Sequence, residues 1–280
     1  MKAMLKTIGW TMLAVVVYYF MEVLFQALFR LVLRGASTSE ERMTMLVIAN
    51  LVLKLVVLFV FGFWYMVRES KWHYRPDYRK GLSPKILSCL VGIGLLGQYA
   101  LGFVMIFIRA AVPDVFEEYT KVTEVLGLDG TYPFVTLIMV VVVGPIAEEV
   151  LFRGVIYGRL RYSFTVVQAA FISAAIFGIY HKNVIQGVYA ALFGIVLAYI
   201  FEKTQTIWGC AVMHMMFNLS SYLMKGLAAL MQKTGIGIPA SVYVAFYVVC
   251  IVVVILCVCS LRRLPNRYEE IRKRMERIEG

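Results

Sequence analysis

The sequence GPIAEEVLFR at residues 144–153 decides how this chain is organised, because it places charged side chains in a run that is otherwise apolar. Residues 134–143 precede it and end in four consecutive valines, and residues 155–157 (VIY) continue the apolar character. An ionisable residue at bilayer depth costs about 2.5 to 3.5 kcal/mol on insertion scales, so two adjacent carboxylates need partners or a watery cavity. The stretch is therefore the first candidate for a functional site.

The spacing of its charges suggests a division of roles. Glu149 and Arg153 stand four positions apart with the acid first, which is the favourable order for a side-chain pair on a helix. Adjacent helical residues point about 100° apart, so this pairing leaves Glu148 free to face a different cavity and hold a proton or a water. The alternative is a structural ion pair with a spare acid.

The composition identifies an integral membrane protein. Of the 280 residues, 61% are hydrophobic and 16% are charged, which is far from the usual composition of a soluble domain. The formal net charge of +11 comes from bases in short segments between apolar runs, a pattern that suits membrane lipids with anionic headgroups and excludes nucleic acid as a partner. The five cysteines lie in or beside apolar runs and are interpreted as packing residues.

Apolar runs long enough to cross a bilayer predict an all-α polytopic fold, a bundle of eight transmembrane helices. The predicted spans are residues 8–33, 45–67, 86–108, 134–160, 164–181, 184–201, 207–223 and 240–261. Lys54 lies inside the second span and is given no role. The whole of residues 1–280 is predicted to be one transmembrane domain, with a motif-bearing core at 134–223 and a basic tail at 262–280. Lysine and arginine are in excess in the segments on one side of the predicted bundle, which predicts that both termini lie in the cytoplasm.

Two further polar groups occur within the predicted spans. Glu148 and His181 are about 14 and 18 residues from the turn that joins their helices, which puts them at comparable depth, with a difference of roughly 6 Å. His214 and Asn218 are four apart and share a helix face. Together these residues supply a base, a second proton-handling group and donors for an oxyanion. Because no serine or cysteine is placed beside a base, water is the expected nucleophile, and the constellation describes a hydrolase of acyl bonds.

Three motifs, each in its own apolar span, resemble the CPBP family of intramembrane proteases, which includes the Ras-converting type II CAAX prenyl endopeptidases and the bacterial Abi-type proteins. They are, in chain order, Glu148-Glu149-x-x-x-Arg153, Phe177-x-x-x-His181 and His214-x-x-x-Asn218. Each motif alone is weak, but their order on membrane helices is specific. The resemblance covers about residues 134–223.

The resemblance implies an eight-helix bundle with the motif residues around a water-filled cavity. Carried over by position, Glu148 would activate water together with His181, and His214 and Asn218 would stabilise the tetrahedral oxyanion. The remaining motif residues would support the site: Glu149, Arg153 and Phe177. The substrate implied is a membrane-associated peptide or a lipidated protein, and the compact chain suits a bacterial cell membrane.

Cofactor and function each have alternatives. A zinc ion held by Glu148, His181 and His214 with water in the fourth position is stereochemically sensible. We favour a metal-free site, because Asn218 is a poor zinc ligand but a good oxyanion donor.

Two other functions are alternatives to a protease: a proton-coupled transporter, and a non-catalytic scaffold or immunity protein of the same fold. A transporter would favour internal repeats, which the sequence lacks. The sequence gives no oligomeric state.

Overall fold

The computed structural model of the chain describes residues 2–33, 38–71, 82–117, 133–235, 237 and 239–264. Within these residues the main elements are all helices and no strand occurs, which confirms the predicted all-α fold. They are α1 (Lys2–Leu33), α2 (Ser39–Lys71), α3 (Pro84–Ala111), the composite α4 detailed below, α5 (Val166–Tyr180), α6 (Val184–Thr204), α7 (Ile207–Thr234) and α8 (Ala240–Leu261). Most of the predicted basic tail, residues 265–280, lies outside the described residues.

Six of the described helices are long and apolar enough to cross a membrane, so the chain is an integral membrane protein. These six spans are Lys2–Leu31, Thr44–Val67, Pro84–Ala111, Phe134–Leu160, Val184–Thr204 and Ser241–Leu261. Helix α5 is apolar, but its 15 residues extend only about 22 Å against a hydrocarbon core of about 30 Å. Helix α7 is long enough but carries polar residues along its length. The predicted count of eight spans is therefore not confirmed.

Helix α4 contains the charged stretch, and it alternates between α-helical and π-helical turns. Its consecutive segments are Pro133–Leu137 (α), Ile138–Val143 (π), Gly144–Glu149 (α), Val150–Tyr157 (π) and Gly158–Leu160 (α). Pro145 has no backbone N–H, so it cannot continue the regular ladder. The chain responds by widening, and the N–H of Gly144 donates to Met139 O. A Cβ on Gly144 would lie 2.7 Å from that oxygen, so the wide turn requires a glycine at this position.

Small residues allow the helices that flank the site to approach closely. In α3, a Cβ on Gly94 would lie 2.5 Å from Met213 O of α7, so α3 and α7 touch through their backbones. Helices α5 and α6 form a hairpin in which Gly178 faces Gly187 in the same way. The side chain of Asn183 caps α6 by accepting from the N–H of Gln186 at 3.0 Å. These contacts hold α3 against α7 and α5 against α6.

Candidate active site

Glu148 of α4 is paired with a lysine from α2. The Nζ atom of Lys54 lies 2.6 Å from Oε1 of Glu148, and the Tyr180 hydroxyl donates to the same oxygen at 3.3 Å. Lys54 also donates to the Tyr180 hydroxyl. The prediction that Glu148 is free is therefore wrong. A carboxylate surrounded by apolar helices is costly without a counter-charge, and α2 supplies that charge at the same depth.

Glu149 receives two cationic or polar donors and is fully buried. Nη1 of Arg153 lies 3.1 Å from its Oε1, which confirms the predicted pair, and Nη2 of Arg153 donates to the Gly194 carbonyl oxygen at 3.1 Å. Nδ1 of His214 lies 2.8 Å from the same Oε1. Glu149 is thus in contact with α7 through His214. Its partner Arg153 connects the same part of α4 to α6.

The pairing of Glu149 determines how the His214 ring is presented. A carboxylate oxygen accepts, so Nδ1 of His214 carries the hydrogen and its other nitrogen, Nε2, is turned toward Glu148. Nε2 lies 3.9 Å from Oε2 of Glu148, which is too long for a direct hydrogen bond. A water about 2.8 Å from each atom fits this separation. The two polar atoms that face each other are therefore placed to share one water.

His181 lies at the C-terminal end of α5, where its Nδ1 is 2.8 Å from the carbonyl oxygen of Phe177. Because that oxygen only accepts, Nδ1 donates and Nε2 remains available. The Phe177 ring packs edge-on against His181 and His214, with ring centroids 4.8 and 6.1 Å apart. Among the described contacts of His181, a direct bond to Glu148 does not occur. The neighbouring Tyr180 makes that contact, and His181 interacts with Glu148 electrostatically.

Asn218 is directed at the backbone of α4. Its Nδ2 donates to the carbonyl oxygen of Val140 at 2.8 Å, inside the first π-helical segment. A proline leaves a helix carbonyl oxygen without its usual N–H donor, and a side chain or water must supply one inside a membrane. Asn218 is that donor for Val140 O. The structure therefore gives Asn218 a partner that the sequence did not indicate. One amide hydrogen of Asn218 remains for another acceptor.

Lys54 and Tyr180 are the site residues that sequence reasoning missed. For Lys54 a signal existed, because it is the one charged residue within residues 45–67 and ionisable residues inside a span mark functional sites. Tyr180 carried no signal beyond its place next to His181. The partner of Glu148 depends on how α2 packs against α4, and local patterns do not contain that information.

The residues proposed for zinc do not form a ready metal site. Among the described residues, no group of three His, Cys, Asp or Glu side chains is arranged to hold one metal ion. Oε1 of Glu148 instead contacts the ammonium of Lys54, a cation that competes with a metal for that oxygen.

The fold and this centre define an all-α integral membrane protein in which carboxylates and imidazoles meet between helices. Residues 130–220 match the family described as type II CAAX prenyl endopeptidase Rce1-like. The match covers all three motifs and confirms the resemblance to CPBP-family proteases. Lys54 lies outside the matched region.

One curated relative also matches. The chain is 28% identical over 142 residues to a Bacillus subtilis (strain 168) protein named "Putative membrane peptidase YdiL". The aligned part covers 48% of this chain and 58% of that relative's length. No solved structure matches. The two similarities support a membrane protease.

Proposed function

We propose that the chain is an intramembrane endopeptidase that hydrolyses peptide bonds with water activated by Glu148. The observation that carries this proposal is the facing pair of Oε2 of Glu148 and Nε2 of His214, 3.9 Å apart. Behind His214 stands the buried Glu149, which holds Nδ1. A carboxylate base opposite an oriented imidazole is a geometry suited to general acid–base catalysis.

The proposed reaction proceeds in two stages. Oε2 of Glu148 accepts a proton from water, and the water oxygen bonds to the carbonyl carbon of the peptide, which becomes a tetrahedral oxyanion. The proton then passes to the leaving nitrogen as the C–N bond breaks, which yields a carboxylic acid and an amine. His181 assists Glu148 in handling the proton. The second N–H of Asn218 donates to the oxyanion, and so does Nε2 of His214 in the form of the ring that carries a hydrogen on both nitrogens. Glu149, Arg153 and Phe177 keep the imidazoles in place.

The proposed substrate class is a membrane-associated peptide or a lipidated protein. The family description names a type II CAAX prenyl endopeptidase, and the Bacillus relative bears the name "Putative membrane peptidase YdiL". The match covers 58% of that relative's length, so the substrate class is part of the proposal. We further propose that the protein resides in a bacterial cell membrane, which the compact chain suits. Its distribution of lysine and arginine supports the placement of both termini in the cytoplasm.

Comparison of membrane peptides from matched cells tests the proposed function. Cells that produce the wild-type protein and cells that produce Glu148→Gln are compared by mass spectrometry of their membrane fractions. The same substitution at the exposed Glu117 is the control. We expect peptide products that depend on Glu148 and not on Glu117. Identical peptide patterns at equal protein levels would overturn the protease and leave a non-catalytic scaffold or a transporter.

A further inference from the structure

We propose that Lys54 of α2 is a positioning residue of the active site. Together with Tyr180 it holds Oε1 of Glu148, so that Oε2 is the oxygen that accepts the proton from water. The proposal rests on the proposed function, and it adds an element, α2, that lies outside the region matched by the family. It also assigns different tasks to the two oxygens of one carboxylate.

The contacts on Glu148 are unequal. Oε1 accepts from Nζ of Lys54 at 2.6 Å and from the Tyr180 hydroxyl at 3.3 Å. Oε2 faces Nε2 of His214 at 3.9 Å, a distance that leaves this oxygen open to a water. A carboxylate fixed at one oxygen cannot rotate freely about its final bond. The open oxygen therefore stays directed at the imidazole.

Packing holds Lys54 and Tyr180, the two donors to Glu148, in place. The side chains of Lys54 and Glu148 are only 19% and 12% exposed, so their ion pair is shielded from solvent. Nζ of Lys54 lies 4.8 Å from the centre of the Tyr180 ring. On the other side, the buried Tyr18 of α1 packs against Tyr180 with ring centroids 4.8 Å apart. Helices α1, α2 and α5 thus fix the donors that fix Glu148.

A positioning role differs from a purely structural one in its kinetic signature. If Lys54 only stabilised the fold, Lys54→Met would lower the amount of folded protein and leave the turnover of that folded protein unchanged. If it directs Oε2, the reacting geometry is lost while substrate binding persists. Misplacement by about 1 Å can cost on the order of 100-fold in rate, so kcat is expected to fall by that order with little change in KM.

The kinetic test uses purified, reconstituted protein and two internally quenched peptides. One ends in a farnesylated cysteine followed by three residues, and the other is the same peptide without the lipid. The variants are Lys54→Met, Lys54→Arg and Tyr180→Phe, with Lys233→Met as the matched control on an exposed lysine. We expect kcat to fall most in Lys54→Met, to recover in part in Lys54→Arg, and to be unchanged in Lys233→Met. Unchanged kcat in folded Lys54→Met would overturn the positioning role.

Chemical rescue of Lys54→Cys compares one folded preparation before and after an amine is restored, so differences in folding between variants do not affect the result. In Lys54→Cys, alkylation with 2-bromoethylamine forms an S–C bond with loss of bromide and restores an amine at nearly the length of lysine. We expect turnover to rise on alkylation of this variant. The wild-type protein treated in the same way is the control, because it has five cysteines of its own. Failure of the alkylated variant to regain turnover would contradict the role of the amine.

A zero-length crosslink separates the contact from the reaction. A membrane-permeable carbodiimide joins an amine and a carboxylate in contact into an amide and itself becomes a urea. In wild-type protein we expect a peptide that links Lys54 to Glu148, and none in Glu148→Gln. A missing crosslink would contradict the pairing. A crosslink in a wild-type protein that cleaves neither peptide and changes no membrane peptide would instead overturn the proposed function, and the positioning role with it.

Discussion

Nδ1 of His214 lies 2.8 Å from Oε1 of Glu149, and the same oxygen receives Nη1 of Arg153 at 3.1 Å. The second glutamate of the pair therefore does more than neutralise an arginine. It sets which nitrogen of His214 carries the hydrogen and turns the other nitrogen toward Glu148. The two adjacent carboxylates act on opposite sides of one imidazole.

Glu149→Gln tests this orienting role. The amide has nearly the same shape but no charge, and it can present either an oxygen or an NH₂ group to His214. We expect kcat to fall by up to about 10⁴-fold, the scale seen when the carboxylate behind a catalytic histidine becomes an amide. Peptide turnover by purified protein checks this, with Glu117→Gln as control. Full turnover in Glu149→Gln would show that His214 needs no carboxylate behind it.

Arg153→Ala is expected to harm stability as well as activity. It leaves Glu149 as a buried charge without its guanidinium partner, and loss of one member of a buried pair costs about 3 to 5 kcal/mol. The bond from Arg153 to the Gly194 carbonyl is lost too. Melting temperature in detergent measures the effect, and Arg30→Ala at an exposed position is the control. Equal melting temperatures for the two variants would contradict the pairing.

Gly94→Ala tests the close approach of α3 and α7. The added Cβ would meet Met213 O at 2.5 Å and the Met216 Cβ at 2.6 Å, so the helices must separate. Overpacking of this kind costs about 1 to 3 kcal/mol. Gly92→Ala, two residues earlier and therefore on nearly the opposite face of the same helix, is the control, since its nearest contact is Cys257 Sγ at 3.8 Å. We expect a lower melting temperature only in Gly94→Ala. Equal effects would mean that α3 does not pack on α7 at Gly94.

Metal analysis of active protein tests the proposed metal-free mechanism. Because Lys54 contacts the carboxylate that would be a zinc ligand, we expect substoichiometric metal and full turnover after treatment with a chelator. Elemental analysis and peptide turnover on the same preparation provide the measurement. One tightly held zinc per chain, whose removal abolishes turnover and whose return restores it, would reverse this choice.

Local sequence patterns predicted the all-α membrane fold and the pair of Glu149 with Arg153. Both depend on short-range rules, namely apolar run length and the four-residue spacing of a helix. The wide turn at Gly144 has a local cause in part, because Pro145 has no backbone N–H to continue the ladder. That the chain would widen into π-helical turns, with Asn218 satisfying Val140 O, depends on α7 and was not predictable from α4 alone.

The error at Glu148 has a similar cause. Counting residues placed Glu148 and His181 at comparable depth, and the contact of Tyr180 with Glu148 agrees with that count. A count of residues along a helix gives depth but does not show which face of α2 is turned toward α4. The approach of Lys54 to Glu148 was therefore missed. A charged residue inside the membrane needs a partner, and Lys54 and Glu148 were the two that the sequence left without one. That rule alone could have paired them.

Replacement of Glu148 by glutamine in purified, reconstituted protein tests the central claim most directly. The variant keeps the shape of the side chain and removes the base. We expect turnover of the quenched peptides to fall by about 10²- to 10⁴-fold, with the protein still folded by its melting curve. Turnover at the wild-type rate in folded Glu148→Gln would contradict the account.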